Sequence, residues 1–213
     1  MSLPSYEVET RFYFSGPAEA FAVLPFGDSA LTRTYRWRTV HYSPALFQRD
    51  EILRIGYLES ESGPKVLLGW KGPDRGKLIN IREELDEDVS GEIAESRILA
   101  KIGGRSAGGS AAAVAAELER LGHRPFMEFS GENRVGYDEP LGLHLKLSHC
   151  QTLRHSWLFE IEKTAATLAE VPRREAELLA FIEQYRLAER VVRAEPPTLL
   201  YEASQGRHGG KEK

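Results

Sequence analysis

The chain is poor in cysteine and has no surplus of positive charge, and each lack excludes something. Its only cysteine among 213 residues, Cys150, cannot close an intramolecular disulfide, so a reducing, cytoplasmic setting is expected. The six histidines are scattered without the spacing of a Cys/His zinc site, which excludes a structural zinc finger. His41, His123, His144, His149 and His155 are each expected to be structural or exposed rather than catalytic. No apolar run approaches the ~18 residues of a membrane span, and no basic segment leads into an apolar stretch at the start. Lys and Arg total 28 against 32 Asp and Glu, a net charge of −4. No general field therefore draws the protein to DNA or to an anionic membrane, and any affinity for anions must be local.

What is present is alternation. Hydrophobic content of 41% and charged content of 28% are those of an ordinary soluble globular chain, here one domain over residues 1–202. The segment 203–213 lacks apolar residues apart from one alanine and is expected to be a disordered tail. Strands are expected at 6–14, 36–42, 52–59, 65–71, 78–85, 126–137, 141–149 and 156–163. Turn sequences such as Glu61-Ser62-Gly63-Pro64 and Glu139-Pro140-Leu141-Gly142 separate them. Short connections imply an antiparallel meander. A helical insert is expected at 91–122, its second helix capped by Ser110 and ended by Gly122. An amphipathic helix runs from Pro172 to Arg186, with Leu178, Phe181, Ile182 and Tyr185 on one stripe. The loop Gly72 to Gly76 lacks the Lys-Ser/Thr ending of a phosphate loop and is expected to be a simple turn.

Strand faces can be sorted by parity. In 6–14, Tyr6, Val8, Phe12 and Phe14 oppose Glu7, Glu9 and Arg11; in 156–163, Trp157, Phe159 and Ile161 oppose Glu160 and Glu162. Between them, Arg54 and Gly56, Lys71, Asn80, Arg82 and Glu84, Glu132 and Arg134, and His144, Lys146 and Ser148 each oppose an apolar set. Glu83 falls on the apolar side of its strand. On one strand, such alternation equally describes a solvated outer face. Repeated on strand after strand, it favours a closed sheet with apolar faces under helices and charged faces turned inward. Arg36 and Arg38, flanking Trp37, are expected in surface ion pairs. Crowded carboxylates favour a hard divalent cation, Mg²⁺ or Mn²⁺, and Arg and Lys favour phosphate.

These residues resemble the CYTH superfamily, the triphosphate tunnel metalloenzymes. Glu7-x-Glu9-x-Arg11 is similar to its ExExK signature, Leu53-Arg54-Ile55 to its LRxR strand, and Trp70-Lys71-Gly72-Pro73 to its Kgp strand end. Arg82-x-Glu84 is similar to its RxE strand, Arg134 to the second basic residue of its KxR strand, and Phe159-Glu160-Ile161-Glu162 to its closing strand. The resemblance spans about residues 5–163 and implies an α+β fold: an eight-stranded antiparallel β-barrel, open at both ends, with helices packed outside. It implies that Glu7, Glu9, Glu160 and Glu162 hold the metal, and that Arg11, Arg54, Lys71, Arg82, Arg134 and Lys146 grip phosphate. Glu84 and Arg11 would take part in the chemistry.

The implied activity is metal-dependent hydrolysis of a linear triphosphate, whether inorganic, thiamine or nucleoside triphosphate. A class IV-type adenylyl cyclase and a non-catalytic polyphosphate or nucleotide binder are the alternatives. The implied partner is a small-molecule triphosphate or nucleotide, with no membrane or DNA, for a monomer or homodimer. Arg11 in place of lysine, Gly56 in place of the second LRxR arginine, Glu132 in place of a base, and Ser148 in place of an acidic residue are departures. They point to altered substrate choice or reduced turnover.

Overall fold

The computed structural model describes residues 5–91, 95–105, 110–150, 152–153 and 157–205. Eight antiparallel strands form a closed barrel: β1 (Ser5–Phe14), β2 (Arg33–Tyr42), β3 (Ile52–Ser60), β4 (Gly63–Lys71), β5 (Asn80–Asp88), β6 (Pro125–Asp138), β7 (Leu143–His149) and β8 (Trp157–Ala165). The order around it is β1-β5-β4-β3-β2-β6-β7-β8. Two meanders, β2 to β5 and β6 to β8, thus join at β2/β6. The first strand closes the gap between β5 and β8. A single meander was expected; what differs is that β1 pairs with β5 and β8 and not with β2, the strand that follows it in sequence. Closure leaves no sheet edge unpaired.

Apolar faces find their cover outside the barrel. Val8, Phe12, Leu145, Leu147, Phe159 and Ile161 pack beneath α1 (Pro17–Val23) and α5 (Val171–Gln184), against Ala20, Leu178, Phe181 and Ile182. Phe26 stacks between Phe159 and Phe181, with centroids 5.9 and 5.7 Å away. Full burial of each such side chain contributes about 1.5–3 kcal/mol. On another side, Leu53, Ile55, Leu68 and Trp70 pack beneath α3 (Arg97–Lys101) and α4 (Ala111–Arg120). Ser110 caps α4 by accepting from the Ala113 amide, and Gly122, at φ +86°, follows its end, as the sequence indicates. Three α-helices fall outside the sequence expectations: α1, the short α2 (Pro44–Phe47) and the C-terminal α6 (Pro196–Ser204). Ser204 and Gln205 of the expected tail belong to α6 and its cap; 206–213 lie outside the described residues, as do 106–109 of the insert. Among the described residues no helix is long and apolar enough to cross a membrane.

One part of the wall is turned inside out. Along the middle of β2 and β6, Arg36, Arg38, Glu128, Glu132 and Arg134 lie on the outer face while Tyr35, Trp37, Phe129 and Val135 line the interior; Arg33 lines it too, and Val40 and Tyr42 pack outward with α4. Arg38 pairs with Glu128 at 3.1 Å and lies over the Tyr57 ring, so the surface pairing expected for Arg38 is what forms. Glu132 stands opposite Arg36 and His149, and Arg134 opposite Thr34 and Leu147. Directly paired residues share a face, so Glu132 and Arg134 point outward. Arg134 bonds Asp28 at 2.7 Å. The expectation that both line the tunnel is corrected. Its error was to extend the charged-inside rule to a strand whose outer face, at Arg134 and Gly136, is met by the polar turn Asp28–Ala30 rather than by an apolar helix.

Candidate functional site

The barrel encloses a cavity of about 500 Å³. From β1 it receives Glu7 and Arg11; from β3, Arg54; from β4, Lys71; and from β5, Glu84, while Glu9 and Arg82 are buried on the same inner face without lining the cavity. Lys146 comes from β7, and Glu160 and Glu162 from β8. Of the sequence-derived site residues, all but Arg134 therefore meet on the inner face. Glu9 and Glu162, far apart in sequence, are directly opposed, as are Arg11 and Glu160. Glu83 lies on the outer side, 3.3 Å from Lys101.

The interior is held by ion pairs. Arg11, 1% exposed, contacts Glu9, Glu160 (2.5 Å) and Glu195 (2.9 Å). Lys71 contacts Glu7 and stands 3.6 Å from Glu84; Arg54 reaches Glu84 at 3.2 Å and Asp86 at 3.6 Å. Lys146 contacts Glu160. Burial alone would lower the pKa of Lys71 and Lys146, but the surrounding carboxylates together, led by Glu7 and Glu84 for Lys71 and by Glu160 and Glu9 for Lys146, outweigh it and keep both firmly protonated.

The carboxylates divide. Glu7 is pushed up to about 7, first by burial and then by Glu84; Glu162 is pushed up to about 7, by burial and then by Glu7. Burial, followed by Glu160 and Glu7, raises Glu9 well above the usual range despite Arg11. Glu9 Oε2 is buried without a hydrogen-bond partner. Burial would raise Glu160 too, but Lys146 and Arg11 hold it near 2. As arranged here, no three His, Cys, Asp or Glu side chains among the described residues stand close enough together to hold a metal ion. The donor chemistry nevertheless suits a hard cation: the groups are oxygen donors, one with a buried unsatisfied atom, and three of the carboxylates are unfavourable as anions.

Sequence reasoning missed Glu195. It is the cap residue of α6, 4% exposed, and its carboxylate enters the cavity between two guanidinium groups. One oxygen accepts from Arg11 at 2.9 Å; the other lies 3.1 Å from Arg82 Nε but off the N–H axis, leaving that contact poorly directed. Burial would raise its pKa, but Arg11, Lys71 and Arg82 together hold it well below the carboxylate range. The remaining nitrogens of Arg82 bond the Asp50 and Gly72 carbonyls at 2.8 and 2.6 Å and Asp50 Oδ1 at 2.8 Å, so its bonds fasten the barrel's end. Asp74 orders the adjoining loop by accepting from the Gly76 and Ile81 amides, the simple turn expected there.

Behind Glu195, Leu200 of α6 packs on Cys150, Leu153 and Leu158. Tyr201 makes edge contacts with Phe47 and Phe126. This helix covers one end of the barrel, so the tunnel open at both ends is corrected to one with a covered end. Its open mouth lies toward Arg33, Asp86, His144 and Glu162. Glu195 lies in no strand, so parity could not find it; the signal available was a carboxylate just before Pro196-Pro197, where a helix begins.

The inverted wall gives the cavity a second character. Tyr35, Trp37, Leu58, Leu67, Phe129 and Val135 line it and are half-buried. Trp37 Nε1 donates to Asn133 Oδ1 and Asn133 Nδ2 donates to the Tyr35 hydroxyl, both at 2.9 Å. A Cβ at Gly131 would stand 2.3 Å from the His149 carbonyl and 2.7 Å from the indole, so glycine is what lets Trp37 lie against β6. At Gly56 a Cβ would meet nothing nearer than 3.7 Å; the missing side chain there simply widens the cavity. His41, buried on the same wall with Nδ1 unpartnered, is lowered to about 3 by burial and then by Arg54.

No protein-family model matches the chain, and no curated protein matches its sequence. Solved structures do resemble it. A protein from Pyrococcus horikoshii superposes with a TM-score of 0.69 at 21% identity, covering 92% of this chain and 98% of that one. A candidate adenylate cyclase from Vibrio parahaemolyticus superposes at 0.64 and 14% identity, covering 94% and 99%. A candidate adenylyl cyclase from Hippeastrum, described as having a dominant triphosphatase activity, superposes at 0.55 and 16% identity, covering 93% and 95%. At these identities the likeness is one of fold, and it extends over more than nine-tenths of this chain.

Proposed function

We propose that the cavity binds the phosphate chain of a linear triphosphate and hydrolyses it with the help of Mg²⁺ or Mn²⁺. One observation carries this reading. Carboxylates of β1, β5 and β8 and cations of β1, β3, β4 and β7 share one inner face of a closed barrel: Arg11 pairs with Glu9 and Glu160, Lys71 with Glu7, Lys146 with Glu160, and Arg54 with Glu84. Such pairs can be exchanged without stranding a charge. Phosphate oxygens take up the ammonium groups of Lys71 and Lys146 and the guanidinium of Arg54, and the released carboxylates become oxygen donors for a cation. Charge stays paired throughout, which avoids the cost of a bare buried ion.

Glu7, Glu9, Glu160 and Glu162 would hold the metal, with Glu84 beside them. A bound divalent ion supplies neutralisation of phosphoryl charge and polarisation of the scissile anhydride. The chain's own groups do the rest. Lys146 and Arg54, whose side chains are 32% and 33% exposed, receive and orient the phosphate chain. Lys71 offsets charge spreading onto the phosphoryl oxygens. Glu84, half-buried beside Arg54 and Lys71, is assigned the proton of the attacking water. The triphosphatase activity described for the Hippeastrum protein supports hydrolysis over cyclisation.

A second reading, capture without turnover, is favoured by Arg11: its guanidinium is locked by Glu9, Glu160 and Glu195 and cannot deprotonate. Phosphate release from tripolyphosphate, thiamine triphosphate and ATP, with and without Mn²⁺, separates the readings. Metal-dependent release from one of them is expected. Tight binding by calorimetry without release would establish the binder, and cyclic AMP from ATP the cyclase.

A further inference from the structure

Taking the tunnel as the holder of a phosphate chain, we infer that its ligand is a phosphate ester with an apolar organic part, an aromatic or aliphatic alcohol rather than a nucleoside. The organic group would lie against the inner faces of β2, β3 and β6, and inorganic triphosphate would leave that wall wet.

The two chemistries meet within one residue pair. Val135 is directly opposed to Lys146 across the β6/β7 ladder, and Arg33 is opposed to Val135 on the other side. Gly56 is opposed to Leu67, two residues along β3 from Arg54. An anion held by Lys146 and Arg54 thus has an apolar side chain ~5 Å from Lys146, at Val135, and another ~7–8 Å from Arg54, at Leu67. Those nearer the mouth, Tyr35, Leu58, Leu67 and Val135, are half-buried cavity-lining residues outside the cluster beneath α6. The deeper Phe129 and Leu158 do pack in that cluster with Leu200, so the helix explains the deep part only.

This wall also offers little to read a nucleobase with. Base recognition needs free donors and acceptors, because an unmet polar edge is costly to bury. Here the Trp37 N–H, the Asn133 amide and the Tyr35 oxygen are tied to one another, which leaves His41 Nδ1, buried on the same wall, as the one unpartnered buried side-chain atom there among the described residues. The Cys150 thiol is occupied by Thr152 Oγ1 at 3.1 Å and the Ser130 carbonyl at 3.6 Å. An apolar lining with a few charged anchors is the make-up of a small-molecule pocket.

The test holds the anion constant and varies what it carries. Dissociation constants for inorganic tripolyphosphate, ATP and benzyl triphosphate are measured by calorimetry on the full chain with Mn²⁺. The benzyl ester is expected to bind about tenfold or more tightly than tripolyphosphate, and more tightly than ATP. Gly56→Arg, which fills the wall with a cation, should lower benzyl ester affinity and raise that of tripolyphosphate. Tripolyphosphate binding as tightly as the ester, or ATP binding best, would overturn this inference and leave the triphosphate reading standing. If none of the three binds, both fall.

Discussion

The two walls of the tunnel use the same strand periodicity in opposite senses. Along β1, β3, β4, β5, β7 and β8 the apolar face turns out beneath helices and the charged face turns in. Along the middle of β2 and β6 the charged residues Arg36, Arg38, Glu128 and Glu132 lie outside and Tyr35, Trp37, Phe129 and Val135 meet the cavity. The difference follows from what covers the sheet. A strand with an apolar helix behind it can bury Leu and Phe outward, and its other face is then available for chemistry. A stretch with solvent or a polar turn behind it must turn its apolar residues inward. The barrel can therefore hold an ion network on one side and a largely apolar surface, with Arg33 at its rim, on the other.

The largest expected effect of breaking this division comes from the charged wall. Glu9→Gln and Glu162→Gln should each lower metal-dependent phosphate release by more than ~100-fold. Glu83→Gln and Arg134→Ala, on outer faces, should leave it within about twofold. Arg134→Ala removes one exposed ion pair, costing ~1 kcal/mol at most. Release measured for all four variants decides whether the inner face has been assigned correctly. Equal losses from Glu83→Gln and Glu9→Gln would refute it.

Next in size is Glu195→Gln. Removing the anion between Arg11 and Arg82 leaves buried cations with a neutral partner, a loss of about 3–5 kcal/mol. For a chain of this length the melting temperature should fall by on the order of 10 °C. Tripolyphosphate should restore part of that fall by supplying oxygens in place of the carboxylate. Thermal scans with and without it are the check, and an unchanged melting temperature would mean that Glu195 does not hold the covered end.

The smallest effect is on the pH dependence of stability without metal. Glu7 and Glu162 have folded pKa values near 7, above an unfolded value near 4.5. The folded state therefore binds more protons between those limits. The stability these groups contribute is fully present below about 4.5 and is lost as pH rises through about 7. Glu160 and Glu195 are shifted downward, so their contribution is present above about 4.5 and is lost as pH falls further. Melting temperature should peak near pH 5 and fall by a few degrees toward pH 8. Glu162→Gln should flatten that fall, and Mn²⁺ should reverse it in the wild type.

Most of the strands and the charged wall were legible because helix-backed strands show their periodicity plainly. The ladders in 6–14 and 157–162 run clean, and the Ser110 cap and Gly122 stop mark α4 in so many letters. Arg134 was misplaced because alternation gives two faces without saying which is inside; only the pairing of β6 with β2 decides it. Arg36 and Arg38 held the clue, since residues expected at the surface of β2 imply that the same face of its partner is also outside. Ser43 before Pro44 and Gly16 before Pro17 are helix-start signals that were available for α2 and α1. Glu195 left only the trace of a carboxylate before Pro196-Pro197, which marks a helix start but not a place in the cavity, because a loop residue acquires its role from where the chain returns.

That return settles how traffic passes through the molecule. With α6 and Glu195 across one end, the barrel is a blind alley, and what enters by the mouth must leave by it. On the proposed function, a new substrate would wait for the previous product to go. A long polyphosphate would not thread through and be shortened repeatedly from within; it would offer only its terminus. Discrimination by chain length would then be set at the entrance, before any bond is broken.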